Sequence, residues 1–401
     1  MDKKINFLLM AILTIIPFNL EKQFMGYVWI TVTDVLTAIS AVLAGTNILR
    51  NRHRFFGQNK PLLFLWSGLL FFFFLSFIKA ENYLLWGKEF MKFTFLTVLF
   101  YLIFEYLDIQ FVFNLFPVLC FIGASAVSLW FFVDLFYGKV DISQRVWFRF
   151  FGPYTQLNTL GMYFLAALPF GLFLLLEKRR YRFFILMGII FELTVLLLTY
   201  SRGNWLAFIF LLILVMVFLL RWKGVAICLF AIGIVIFLAQ YFTSVDSIKE
   251  RFLSSFSIRE SAVLSRKYHL ETAWMLFKKF PLTGTGLGNF QIAARRYHYR
   301  YLFEMAHNMF LQYAAEAGIF AVLFLLGICI KYYYDAITLL KKVTGDTRLF
   351  LLCSIFSFSG LFLSSQFSDP FVHSIKEYFI FLLAVPYIIR KSQSDQTKNI
   401  S

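Results

Sequence analysis

The chain has 401 residues, 60% of them hydrophobic and 21% aromatic, with 15% charged and a net charge of +16. A soluble domain is about 45–50% apolar and about 25% charged, so these figures exclude a soluble globular enzyme, a disordered chain and a secreted disulfide scaffold. Apolar runs recurring from end to end leave an all-α polytopic membrane protein.

In chain order, Met1-Asp-Lys-Lys leads into an apolar run at 5–20. It has the outline of a signal peptide but no clear small-residue cleavage site, and is read as an uncleaved first span. Runs at 27–47, 61–78, 90–107, 111–135, 157–176, 183–200, 204–220 and 224–242 follow. They complete a block of nine spans over residues 1–242. A long loop at 243–306 separates it from runs at 308–330, 349–365 and 371–389, in a second block over 307–401. The expectation is twelve spans of roughly 20 residues each, with tight hairpins on either side of 204–220. Cys120, Cys228, Cys329 and Cys353 lie inside apolar runs, without metal spacing, and read as small core residues.

Charge sets the orientation. With both termini placed inside, the inner segments carry 19 Lys+Arg and the short outer ones 8. Cytoplasmic loops are enriched in Lys and Arg, so both termini are expected in the cytoplasm. The basic clusters punctuate apolar runs, and no nucleic-acid-binding signature is present, so nucleic acid is not an expected partner. The loop at 243–306 falls outside with ten Lys+Arg against five Asp+Glu. A basic excess there points to an anionic ligand, or to a loop that is merely well solvated.

Within that loop Leu270, Ala273, Trp274, Phe277 and Phe280 recur at helical spacing and predict an amphipathic helix. Ser265 is its expected N-cap and Pro281 its stop. Arg266 lies four residues before Leu270, on the packed face, where a guanidinium needs an anionic partner. That partner is either a loop carboxylate or a ligand phosphate. Gly284-Thr-Gly-Leu-Gly288 reads as a tight turn, and the amides around Gly286 and Gly288 are also candidates for anion binding. His307-Asn308 opens the tenth span. A histidine there is an interfacial or capping residue, or a base at neutral pH. Glu316 is nine residues deeper, about 13 Å along a helix, and reads as a structural hydrogen-bonding or charge-pairing residue, with Gly318 allowing close helix contact. Arg202, in Thr199-Tyr-Ser-Arg-Gly-Asn-Trp205, sits at a turn at membrane level, either snorkelling to head groups or binding substrate. Arg202, Arg266 and His307 are far apart in sequence, yet the charge-derived topology puts all three on the outer face. Two arginines can hold a lipid-linked pyrophosphate while a histidine takes a proton from a hydroxyl.

Ser201-Arg-Gly-Asn-Trp205, Ser265-Arg266 with Pro281-Leu-Thr-Gly-Thr-Gly-Leu-Gly-Asn-Phe290, and His307-Asn-Met-Phe-Leu-Gln-Tyr-Ala-Ala-Glu-Ala-Gly318 resemble the O-antigen ligase and polymerase superfamily. So does Gly152-Pro-Tyr-Thr-Gln-Leu-Asn158. The resemblance implies a GT-C-like, metal-independent inverting glycosyltransferase of a bacterial inner membrane, with a periplasmic active site and no cofactor. The absence of an Asp-x-Asp metal motif agrees with this. Its donor would be an undecaprenyl-pyrophosphate-linked glycan and its acceptor a sugar hydroxyl of lipid A-core, in contact with membrane lipids. By motif match His307 is the base and Arg202 and Arg266 bind pyrophosphate. Ser201, Asn158, Gly286, Gly288, Asn308 and Glu316 are supporting candidates. A repeat-unit polymerase is the alternative within the family, and a polysaccharide transporter or flippase the alternative outside it.

Overall fold

The computed structural model describes residues 2–16, 21–24, 28–51, 60–137, 157–220, 233, 237, 261–297, 305–371 and 375–398. Among the described residues are thirteen α-helices: α1 (Asp2–Ile15), α2 (Val32–Asn51), α3 (Lys60–Leu75), α4 (Tyr83–Tyr106), α5 (Ile109–Phe136), α6 (Leu157–Glu177), α7 (Arg182–Leu198), α8 (Arg202–Val215), α9 (Ser261–Lys279), α10 (Phe290–Tyr297), α11 (Met309–Leu340), α12 (Gly345–Ser364) and α13 (Ile375–Lys398). Among the described residues six helical segments are long and apolar enough to cross a membrane: Lys60–Lys79, Ile109–Phe136, Leu157–Glu177, Arg202–Leu219, Met309–Leu340 and Gly345–Ser364. The protein is a polytopic helical membrane protein. The expected run at 224–242 and the first part of the long loop, 243–260, lie outside the described residues.

Two departures from the expected pattern have local causes. The run at 27–47 does not start as a helix. Val28–Thr31 pairs with Glu21–Phe24 in a short antiparallel hairpin, with Glu21 opposite Thr31. Helix α2 then begins with a reciprocal cap: the Thr31 amide donates to Asp34 Oδ2 (3.0 Å) and the Asp34 amide to Thr31 Oγ1 (3.1 Å). Helix α4 starts seven residues before the expected 90, because Asn82 caps it by accepting from the Leu84 and Leu85 amides. Its polar first turns hold Glu89 and Lys92, which pair with each other inside the helix.

The centre of the bundle is α13, buried from Ile375 to Ile389 and packed against α4, α6 and α12. Phe116 of α5 stacks on Phe381 at 3.8 Å between centroids, and Tyr378 donates to the Cys120 sulfur at 2.7 Å. Cys120, Cys329 and Cys353 are buried free thiols, as expected of core residues. The outer helices turn apolar side chains such as Phe64, Phe71 and Phe74 outward. That pattern suits a chain whose surroundings are hydrocarbon.

Several buried ionisable groups have polar partners inside the bundle. At the start of α13, Lys376 lies 3.2 Å from Asp34 and 3.4 Å from Glu377, and Glu377 also accepts from Thr33 (2.7 Å). At the opposite end Asp335 holds Lys331 and Arg390, and Lys391 lies 3.5 Å from Glu105. Glu192 of α7 accepts from Ser125 of α5 at 3.1 Å. These pairs let α11 and α13 run past the apolar limits expected from the sequence.

Helix α11 breaks once. Gly318 adopts φ 82° and ψ −179°, a conformation essentially confined to glycine. A Cβ there would lie 2.3 Å from the Leu282 carbonyl oxygen, and the Ile319 amide donates to the Pro281 carbonyl at 2.8 Å. Gly318→Ala is therefore expected to cost about 2 kcal/mol or more, from strain alone ~1–3 kcal/mol plus the clash. Gly87→Ala, in open space within α4, is expected to be neutral or stabilising by about 0.5–1 kcal/mol. Melting curves of the two detergent-solubilised variants check this, and equal curves would refute it.

Candidate functional site

Six helix ends meet at one end of the bundle: the starts of α4, α6, α8 and α11 and the ends of α7 and α12. Each residue of the segment Ser201–Trp205 has a separate task there. Ser201 donates to Asn158 Oδ1 (2.7 Å), and Asn204 donates to the Ser201 hydroxyl and the Asn158 carbonyl (2.9 Å each). Ser364 closes the cluster by donating to Asn204 Oδ1. Trp205 ties the turn to α7 through the Leu196 carbonyl (3.2 Å). Gly203 lets the chain after α12 approach, since a Cβ there would lie 2.6 Å from Phe367 Cβ.

Ser201 occupies the N-cap position of α8 yet makes no side-chain cap, because its hydroxyl is given to Asn158. The positive end of the α8 dipole lies at this point. Arg202 is the first residue of α8 and is 6% exposed.

Arg202 faces a cavity of about 210 Å³. Gly203 and Leu206 share its α8 wall, α9 contributes Arg266 and Leu270, and Gln366 and Phe367 close it from the segment after α12. His307 completes the lining. The structure thus brings together Arg202, Arg266 and His307. At about 30 Å³ per water the space holds roughly seven waters, enough for a compact polar group.

Helix α9 presents Arg266 in a different way from the expected one. It begins at Ser261, so Ser265 lies inside it rather than capping it. Its buried face carries Thr272, Ala273 and Leu276 (0–1% exposed), whereas Leu270 and Trp274 are 38% and 50% exposed. The expected apolar stripe is displaced because α9 docks on α11 through small residues, Ala273 meeting Ala306, Ala315 and Leu276 in one cluster. Close alanine packing decides the face, and the bulkier Trp274 is left outside.

His307 has φ 54°, and with Tyr200 (φ 50°) it is one of two non-glycine residues of positive φ among the described residues. Both adjoin the cavity elements, and such a conformation costs about 1–3 kcal/mol. Hydrogen bonds on both sides impose it on His307. The Ala306 amide donates to Gln312 Oε1 (2.6 Å), and the Met309 amide to the Ser365 carbonyl (2.9 Å). Asn308 caps α11 by accepting from the Leu311 amide (2.9 Å) and donates to Gln366 Oε1 (3.2 Å).

Gly286, Gly288 and Glu316 do not line the cavity. The amides of Thr285 and Gly286 are bound to the Ala315 and Glu316 carbonyls, both at 2.9 Å. Glu316 accepts from the Gly288 and Phe290 amides and from Gln312 Nε2 (2.8 Å). The glycine turn holds the protein's own Glu316 side chain. From Glu316 the contacts run through Gln312 to Ala306, next to His307.

Burial holds the His307 imidazole down to about 4, with His269 and Arg266 acting in the same sense. Burial and Arg266 also lower His269. The empty site therefore presents a neutral imidazole beside two guanidinium groups. Sequence reasoning passed over His269, Gln366 and Phe367. The last two had no readable signal, since they arrive from beyond α12. His269 had one: it lies three residues after Arg266 and so on the same side of α9.

Below the cavity, α8, α11 and α12 form an apolar groove of about 480 Å³, lined by Phe210, Leu214, Tyr333, Phe356, Phe362 and neighbours. Its α12 wall extends from Leu363 to Leu352, about 16 Å at 1.5 Å per residue. No curated protein shows a significant match to this sequence. Residues 188–326, which contain Arg202, Arg266 and His307, match the model of the O-antigen ligase family.

Proposed function

We propose that the protein is an inverting glycosyltransferase of the O-antigen ligase type. Its donor is a glycan on undecaprenyl pyrophosphate. Its acceptor is a sugar hydroxyl of lipid A-core, at the periplasmic face of a bacterial inner membrane. One observation carries the reading: two arginines and a neutral histidine from separate segments line one cavity, with an apolar groove beneath it. The family match supports ligase- or polymerase-type chemistry broadly.

In this reading Arg202 and Arg266 hold the pyrophosphate at the positive end of the α8 dipole, and the groove takes isoprenoid chain. The acceptor oxygen attacks the anomeric carbon opposite the pyrophosphate, so configuration inverts. His307 takes the hydroxyl proton, and the bond from the anomeric carbon to the phosphate oxygen breaks. The leaving undecaprenyl pyrophosphate carries its charge on the arginines. Positioning and charge stabilisation supply the rate, and no carboxylate nucleophile is required. Deleting the gene should leave core-only lipopolysaccharide and accumulated carrier-linked polymer on a gel. One repeat attached to core, with long chains lost, would assign the cavity to a polymerase instead.

The orientation follows from the distribution of basic residues. Reporter fusions at Lys341 and Gln291 should report the cytoplasm and the periplasm, respectively. A shared side would contradict the topology.

Arg202→Lys and Arg266→Lys should each lose most donor turnover, because lysine lacks the bidentate fork. Normal turnover in both, at normal protein level, would make these arginines structural. His307→Ala should lose ~10²–10⁴-fold in transfer with donor binding retained. Near-normal transfer in His307→Gln would show that no base is needed there.

The pH dependence has a definite sign. His307 works unprotonated, so the rate falls as pH drops through its pKa. It faces Arg202 from α8, Arg266 and His269 from α9, and the neutral Gln366. In the empty site the pKa is about 4, and a bound pyrophosphate raises it by offsetting Arg266. The acid limb of kcat, which reports the donor complex, should therefore lie at higher pH than that of kcat/KM. Coincident limbs would argue that the donor anion does not bind beside His307.

A further inference from the structure

A catalytic histidine usually has its second nitrogen held by a hydrogen bond, which fixes the ring. Here the His307 Nδ1 is buried and has no hydrogen-bond partner among the described residues. The ring is covered on its face instead. The imidazole of His269 stacks on it at 5.0 Å between centroids, with the planes 17° apart. His269 and Arg266 are three residues apart on α9, so one helix face brings both to the site. The helix is anchored where it matters, since Thr272, Ala273 and Leu276 are fully buried just beyond His269.

We propose that His269 is a positioning residue of this site: its stacked ring fixes the plane of the His307 imidazole in place of a hydrogen bond. The proposal rests on the base reading of His307. The backbone bonds at Ala306 and Met309 fix where the ring starts, and the face contact with His269 limits its rotation about the side-chain bonds. The stack also links the two halves of the site. Arg266 and His269 move together on α9, so a helix seated on the donor phosphate brings the base into its working plane.

The test compares His269→Ala, which removes the stack, with His269→Phe, which keeps an aromatic face without a nitrogen. Two readouts are taken on the full-length protein. The first is transfer from the carrier-linked donor. The Ala variant should lose about 10–100-fold in kcat, as expected for a small misplacement of a reacting group, with donor binding unchanged. The Phe variant should recover to within about tenfold of the unsubstituted protein. In the background of His307→Gln, adding His269→Ala should cost little more, because the two residues act as one unit. The second readout is independent of catalysis: the rate at which diethyl pyrocarbonate modifies His307, followed by peptide mass spectrometry. It should rise in the Ala variant and stay low in the Phe variant.

Unchanged kcat and unchanged labelling in His269→Ala would overturn the proposal. So would equal inactivity of the Phe and Ala variants, which would assign the work to the His269 nitrogens, or a fully additive loss in the double variant. Near-normal transfer in His307→Gln alone would remove the base reading, and the labelling comparison would still decide whether His269 fixes the ring.

Discussion

Everything at the cavity end depends on how one buried carboxyl group is satisfied. Glu316 is 4% exposed in the first part of α11. A buried polar group of this kind is costly unless the protein supplies its hydrogen bonds. The glycine turn after α9 supplies two amides and Gln312 a third donor, each bond contributing about 0.5–1.5 kcal/mol net. The turn can approach only because α11 breaks at Gly318. The break, the turn and the carboxyl group therefore form one unit. That unit fixes α9 above α11, and with it Arg266, while Gln312 holds the backbone just before His307.

The second fixed point is the start of α8. There a serine in capping position bonds sideways to Asn158 instead of to its own helix. The exchange costs a cap, typically ~1 kcal/mol. It leaves the positive end of the α8 dipole and a buried arginine at the same place. Asn158, Ser201, Asn204 and Ser364 come from three helices, so their hydrogen bonds also set the spacing of α6, α8 and α12. The polar cluster thereby fixes the helix packing next to the cavity, whose α8 wall begins at Arg202.

Much of this was legible in the sequence, for a physical reason. Arginine and histidine beside apolar runs are rare and costly, so Arg202, Arg266 and His307 stood out, and a charge count was enough to put them on one face. Helices such as α5, α6 and α12 were legible because continuous apolar runs of that length have few other uses. What escaped was whatever depends on a partner. Lys376 and Glu377 looked like the margin of an apolar run until Asp34 and Thr33 met them. The buried face of α9 followed alanine packing and not the largest hydrophobic residues. Gln366 and Phe367 reach the cavity from a distant segment that carries no motif. The glycines at 286 and 288 were read correctly as a turn, but the carboxyl group held there was visible only once Glu316 was in place.

The break at Gly318 has a consequence for the membrane itself. It divides α11 into a short piece, Met309–Ala317, docked on the glycine turn, and a long piece, Ile319–Leu340, which at 1.5 Å per residue is about 33 Å. The long piece alone matches a hydrocarbon layer of about 30 Å. It can tilt about the break as bilayer thickness changes, while the short piece keeps its seat and the histidine its place. Tilting is the ordinary answer of a helix to hydrophobic mismatch. In α11 it is separated from the chemistry by a single residue. The arginine on α8 has no such joint, since α8 continues unbroken from Arg202. What ties that start to the histidine is the end of α12, where Ser364 bonds Asn204 and the Ser365 carbonyl accepts from the Met309 amide.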